Sequence, residues 1–275
     1  MALLGLTLRM RHFNLLLISL VASIPALSQS TDSNDAMLAK ARGLYDAPFT
    51  RQLVSFDCSV RFDWKEHFNN TMGMVPSAAL PTVNRLQSLQ HRVFVDRSGA
   101  VVSEIPKATD LSGVPHASDL EAALQAIVSS GLNAWLPFST NVILPTKPAT
   151  FTFQRLNSGF KIVMKGANVS ATLDLLPDMR IASVISELPQ PQHFVTEFTT
   201  GPDGYLLQSV KTGSGTEAST LWSAIFAYHY QKVQGFQVPG EIDVTQVATR
   251  EKWDYSLDDC KAMTGTVIKV QAPEK

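Results

Sequence analysis

Residues 54–64 read V-S-F-D-C-S-V-R-F-D-W, and Val54, Phe56, Cys58, Val60, Phe62 and Trp64 alternate without a break against Ser55, Asp57, Ser59, Arg61 and Asp63. Successive strand side chains point to opposite faces, so a period of two over this length predicts one strand with its even-numbered residues on a core and its odd-numbered residues in water. One-sided burial of this kind belongs to antiparallel sheets.

Strand-length text surrounds that run. H-R-V-F-V-D and A-V-V-S-E-I flank Arg97-Ser98-Gly99 and predict a hairpin. From Ala149 onward the segments T-F-T-F-Q-R, F-K-I-V-M-K, V-S-A-T-L-D-L-L, I-A-S-V-I-S-E-L, H-F-V-T-E-F and Y-L-L-Q-S-V are punctuated by turn residues. A long alternating run through Trp222, Ala224, Phe226, Tyr228 and Tyr230 follows, then F-Q-V between Gly235 and Pro239, then E-I-D-V-T-Q-V and W-D-Y-S-L-D-D-C.

Helical text is sparser. Asn34–Leu44 offers a short helix that Gly43 can end, and Val83–Gln90 a second. Ser118 and Glu121 have capping-box spacing, and Leu120, Leu124, Ile127, Val128, Leu132 and Trp135 then recur at helical intervals as far as Pro137 and Pro145. These elements together predict an α+β fold of about ten strands, a curved antiparallel sheet or half-open β-barrel with one or more helices over its concave face. Residues 29–50 read as a spacer with a short helix and 51–275 as a single domain, since no linker rich in Gly, Ser or Pro divides them.

The first residues carry Arg9, Arg11 and His12, then an apolar run from Leu15 to Leu27 and the small residues before Gln29. This is the pattern of a secretory signal peptide over residues 1–28, cut near Ser28, with Met10 as an alternative start. The run is shorter than the ~20 residues a bilayer needs, so no transmembrane anchor is expected after cleavage. Export favours a disulfide between the two cysteines, Cys58 and Cys260. Two unpaired buried thiols are the alternative.

Lys and Arg number 23 against 24 Asp and Glu, a net charge of -1, which gives no electrostatic drive toward nucleic acid. G-S-G at Gly213–Gly215 lacks the strand-to-helix setting of a nucleophile elbow. The histidines are scattered, and Asp254, Asp258 and Asp259 lack the alternation of a calcium loop. No catalytic group, metal or cofactor is therefore expected.

The text F-T-T-G-P-D-G-Y-L-L-Q-S-V followed by F-A-Y-H-Y-Q-K-V-Q-G-F-Q-V-P-G-E-I-D-V resembles the closing hairpins of the periplasmic outer-membrane lipoprotein-sorting carrier family, over Met164 to Val247. The segment before Leu120 and the cysteine-tied terminus depart from that pattern. The resemblance implies a half-barrel holding an acyl chain or another hydrophobic ligand, hence a periplasmic or secreted binding or carrier protein. Its partner would be a hydrophobic small molecule, a lipid acyl chain or a membrane lipoprotein. On this reading the helix from Leu120 to Trp135 is a lid, and Leu124, Ile127, Val128, Trp135, Phe226, Tyr228 and Phe236 are the candidate ligand-lining residues. The alternative is an exported structural or protein-interaction domain whose core is filled by its own side chains.

Overall fold

The computed structural model describes residues 31–104, 116–141, 143–144, 150–165, 170–187, 191–215 and 219–265. The expected signal peptide and Pro145 lie outside the described residues. In chain order come helices α1 (Thr31–Arg42) and α2 (Pro48–Arg51), strand β1 (Leu53–Phe62), α3 (Trp64–Met72), α4 (Leu80–Ser88), the hairpin β2 (His91–Asp96) and β3 (Gly99–Glu104), and the long helix α5 (Ala117–Ser139). The strands β4 (Thr150–Leu156), β5 (Gly159–Lys165), β6 (Ser170–Leu175), β7 (Ile181–Ser186), β8 (Gln192–Gly201), β9 (Gly204–Ser214), β10 (Leu221–Val233), β11 (Phe236–Gln246) and β12 (Lys252–Thr264) complete the chain.

All the strands form one 12-stranded sheet in the order β3-β2-β1-β12-β11-β10-β9-β8-β7-β6-β5-β4. From β4 to β12 the sheet is a plain meander. β1 then adds antiparallel to β12, and the β2–β3 hairpin extends it. The strands that flank α5 in sequence, β3 and β4, are thus the two ends of the sheet order among the described residues, and α5 lies in the connection between them.

Contacts within one turn of α5 show that the sheet curls. Asn133 Oδ1 accepts from Ala100 N of β3 at 3.0 Å, while Gly131 O accepts from the Tyr228 hydroxyl of β10 at 2.9 Å. β3 and β10 are five strand spacings apart in the sheet order, ~24 Å if the sheet were flat. A helix with its side chains is only ~10–12 Å across. The sheet must wrap around α5, and α5 lies on the concave side.

Cys58 of β1 and Cys260 of β12 form a disulfide across a sequence separation of 202, with Cα atoms 4.1 Å apart. Asp57 pairs with Lys261 and Ser59 with Asp258, so β12 carries an extra residue at this point. Asp259 takes it up as a bulge with φ of 49°. The bond ties the amino-terminal strand to the end of the meander, a closure worth on the order of 4 to 5 kcal/mol by loop entropy, and it fits an oxidising compartment.

Several local expectations are corrected. β1 keeps Phe56, Cys58, Val60 and Phe62 buried, but a register shift against β12 between Leu53 and Ser55 turns Leu53 and Ser55 inward and leaves Val54 46% exposed. Trp64 is buried yet begins α3, capped by the Asp63 carboxylate, which accepts from Glu66 N at 2.9 Å. Ser118 caps nothing. α5 starts beyond His116, whose φ is 59°, and Glu121 bonds His91 and Gln125 instead. Pro137 does not end the helix, which continues to Ser139. The segments on either side of Pro239 are one strand, because a bulge opposite Tyr230 accommodates a residue that has no N–H to pair.

Candidate functional site

α5 presents two different flanks to the sheet. The first is a packed stripe. Leu124, Val128 and Leu132 are at most 1% exposed, and Trp135 is also buried, its ring edge-on to Phe49 and Phe56 at 6.1 and 6.0 Å. Tyrosine hydroxyls from the sheet fasten this stripe. Tyr228 donates to Gly131 O at 2.9 Å and Tyr255 to Val128 O at 3.3 Å. Trp135 Nε1 donates to the Tyr230 hydroxyl at 3.1 Å, which donates onward to Leu207 O at 2.8 Å. Burial pushes all three phenols well above their ordinary pKa, so they remain neutral donors. Gly131 is needed here, because a Cβ would lie 2.6 Å from the Tyr255 oxygen and 3.3 Å from the Phe226 ring.

The second flank borders a groove. Ala126, Ile127, Ser130, Asn133 and Ala134 of α5 face Gln192 and Phe194 of β8, Thr212, Gly213 and Ser214 of β9, Ser223, Ala224 and Phe226 of β10, and Val244 and Gln246 of β11. The space between them is about 560 Å³ and opens to solvent on one side. That volume is within the range of small-molecule sites, ~300–1,000 Å³. Phe226, Ala224 and Val244 form a buried apolar floor. Gly213 also lines the groove, and a Cβ on it would press on Thr220, just before β10, and on Trp222 of β10 at 2.7 and 3.0 Å.

The structure separates the seven residues singled out from sequence. Ile127 and Phe226 line the groove. Leu124, Val128 and Trp135 belong to the packed stripe, and Tyr228 is buried beneath it. Phe236 lies elsewhere, at the start of β11 beneath the Arg51 guanidinium, 5.9 Å from the ring centroid. Arg51 also bridges Asp46 at 2.5 Å and Asp203 at 3.1 Å, joining the segment after α1 to the β8–β9 turn. Burial raises the Asp46 pKa despite Arg51, since its side chain is fully enclosed and Oδ2 has no partner among the described residues.

Sequence reasoning passed over Ala126, Ser130 and Ala134. Their spacing of four placed a row of small side chains beside the apolar stripe, and that row is what leaves room for a groove. Phe194 and Val244 carried no such sign, because each sits in an ordinary strand alternation.

Among the described residues no group of three or more His, Cys, Asp or Glu side chains is arranged to hold a metal. His67 is buried among Phe62, Trp64, Phe68 and Trp253, with Nδ1 3.0 Å from Lys252 O, and burial lowers its pKa. His229 is exposed and bonds Asp243 at 3.0 Å, which raises its pKa.

No family model matches the chain, and no curated protein matches it. It is similar to a solved domain from Vibrio parahaemolyticus described as an outer membrane lipoprotein-sorting protein, at 10% identity over 85% of this chain and 94% of that one, with a TM-score of 0.32. It is likewise similar to a LolA superfamily protein from Nitrosomonas europaea, at 8% identity over 84% and 93% of the two chains, with a TM-score of 0.32. The likeness is shallow, and the half-open antiparallel sheet stands on its own strand order.

Proposed function

We propose that the protein is an exported binding or carrier protein that holds a lipidic or other hydrophobic ligand in the groove beside α5. The observation that carries this reading is the groove itself: about 560 Å³ of solvent-connected space over a floor of Phe226, Ala224 and Val244, kept open by the small side chains of one helix flank. A groove of this volume is within the range of small-molecule sites, and its apolar floor offers an acyl chain a surface to cover. The Cys58–Cys260 bond supports export to an oxidising compartment such as the periplasm. Ile127 and Phe226 contact the ligand in this account, whereas Leu124, Val128, Trp135 and Tyr228 hold the helix that forms one wall.

The buried stripe favours the alternative of an exported interaction domain with no ligand, because the space directly beneath α5 is filled. Titration with an environment-sensitive apolar probe separates the two. Saturable binding that Ile127→Asp abolishes, with the melting transition kept, supports the carrier. Absence of saturable binding to wild-type protein supports the interaction domain.

A further inference from the structure

Pairing between β9 and β10 runs from Ser214 and Leu221 to Ser209 and Ala227 and stops there, which leaves the first residues of β9 without β10 beside them. Residues 44–46 take the vacant place. Tyr45 bridges Tyr205 in parallel, Tyr205 N donates to Leu44 O at 2.7 Å, and Asp46 N donates to Tyr205 O at 3.0 Å. The Tyr45 hydroxyl donates to Met179 O and accepts from Ile181 N, both at 2.8 Å. Gly204, with φ of 134°, permits the close approach, because a Cβ there would stand 2.6 Å from Leu44 O. Into this seat the chain carries a carboxylate. The Asp46 side chain is fully enclosed, yet its one ionic partner, Arg51, is shared with Asp203, and its Oδ2 bonds nothing among the described residues. The other ionisable groups around the seat are the Tyr230 hydroxyl on β10, held neutral by burial, Arg42 at the end of α1, whose nearby carboxylate is Asp35, and the paired Asp178 and Arg180 of the β6–β7 turn, which flank Tyr45 and Tyr205.

We infer that residues 44–51 form a pH-sensitive latch across the split between β9 and β10, firmly seated when Asp46 is neutral and loosened when it is ionised. The inference stands apart from the carrier reading. Two carboxylates share one guanidinium here, and only one of them is buried. Asp203 is exposed and keeps its water, so its charge costs little. Asp46 keeps none, and a partly exposed arginine that also serves Asp203 offsets only part of the desolvation of an enclosed ion. A proton on Asp46 removes that cost and leaves Arg51 with Asp203 as a neutral pair. Burial accordingly holds the Asp46 pKa above its ordinary value, with Arg51 opposing the rise and Asp203 adding to it. A carboxyl whose folded pKa is raised contributes stability that is complete below its unfolded pKa and is lost as pH rises through the folded one, so the seat tightens on acidification. The linkage acts locally, because the segment can leave the split while the β10–β11 ladder stays closed. Phe49, which the same segment holds against Phe56 and Trp135, moves with it.

Amide hydrogen exchange of the full chain at about pH 7.5 and about pH 5, normalised to intrinsic exchange rates, tests it at Asp46, Tyr205 and Ile181. Those three amides donate across the latch, whereas amides of the β10–β11 ladder report global opening. In wild-type protein the protection of the three, relative to the ladder, is expected to rise roughly threefold or more on acidification. Asp46→Asn is expected to show the acid level of protection at both pH values. Asp203→Asn, at an exposed turn position, leaves Arg51 wholly to Asp46 and is expected to shrink the rise. Should Asp46→Asn fail to fold, the wild-type profile and Asp203→Asn decide. Wild-type protection that stays level or falls as the pH drops overturns the inference, and so does a rise that both variants leave unchanged.

Discussion

The two flanks of α5 differ although they belong to the same helix and lie roughly 140° apart around it. On one, Leu124, Val128, Leu132 and Trp135 fill the concave side of the sheet, and tyrosines 228 and 255 bond the helix backbone while Tyr230 holds Trp135. On the other, Ala126, Ile127, Ser130, Asn133 and Ala134 border a groove, with Asn133 still bonded to Ala100 N of β3. The difference lies in side-chain volume and polarity rather than in backbone. A helix that closes a half-barrel needs one flank large and apolar to hold it; the other is then free to be small. This makes the helix a fixed wall rather than a moving lid, since lifting it would break the tyrosine bonds and expose the whole stripe.

The contrast predicts opposite outcomes for chemically identical substitutions. Leu132→Asp places an unpaired carboxylate in a fully enclosed site and is expected to cost more than about 4 kcal/mol, enough to leave little folded protein. Ile127→Asp, five residues earlier, is expected to cost no more than about 1 kcal/mol in urea denaturation because its carboxylate can reach the open groove. Similar losses at both positions would erase the distinction between the flanks. Next in size, Gly131→Val drives a side chain into the Tyr255 oxygen and the Phe226 ring, and a loss of about 2–3 kcal/mol is expected. Ser130→Ala, on the groove side, is expected to stay within about 0.5 kcal/mol. Smallest is Tyr228→Phe. It removes one hydroxyl from Gly131 O, which keeps its place in the helix ladder, and a loss of about 1 kcal/mol with unchanged probe affinity is expected. A drop in affinity there would mean that the fastening tyrosines shape the groove after all.

The sheet was largely legible in the sequence because period-two alternation survives in almost every strand, and α5 was legible because its stripe repeats over several turns. What misled was local. The alternation that runs from Val54 to Trp64 conceals a register shift at one end and a helix cap at the other, and Asp63 with Glu66 three residues on had the spacing of a cap inside a strand-like run. The same spacing at Ser118 and Glu121 was empty, since His116 starts the helix in a left-handed conformation and Glu121 is drawn to His91. The groove was harder to read. Its walls come from α5 and four strands of the meander, brought together only by the curl of the sheet. Hydrophobicity selects what is buried, so the search for apolar residues found the core stripe and reached the groove only at Ile127 and Phe226.

The most direct test of the central claim, that the ligand lies beside α5 rather than beneath it, is a two-dimensional amide spectrum of isotope-labelled protein recorded during titration with 1-monolauroylglycerol. Saturable shifts concentrated at residues 126–134, 192–194, 212–214, 223–226 and 244–246, with Leu124, Tyr255 and the Cys58–Cys260 region unmoved, are the predicted result. Shifts centred on the stripe of Leu124, Val128 and Leu132, or no saturable shifts at all, would contradict it.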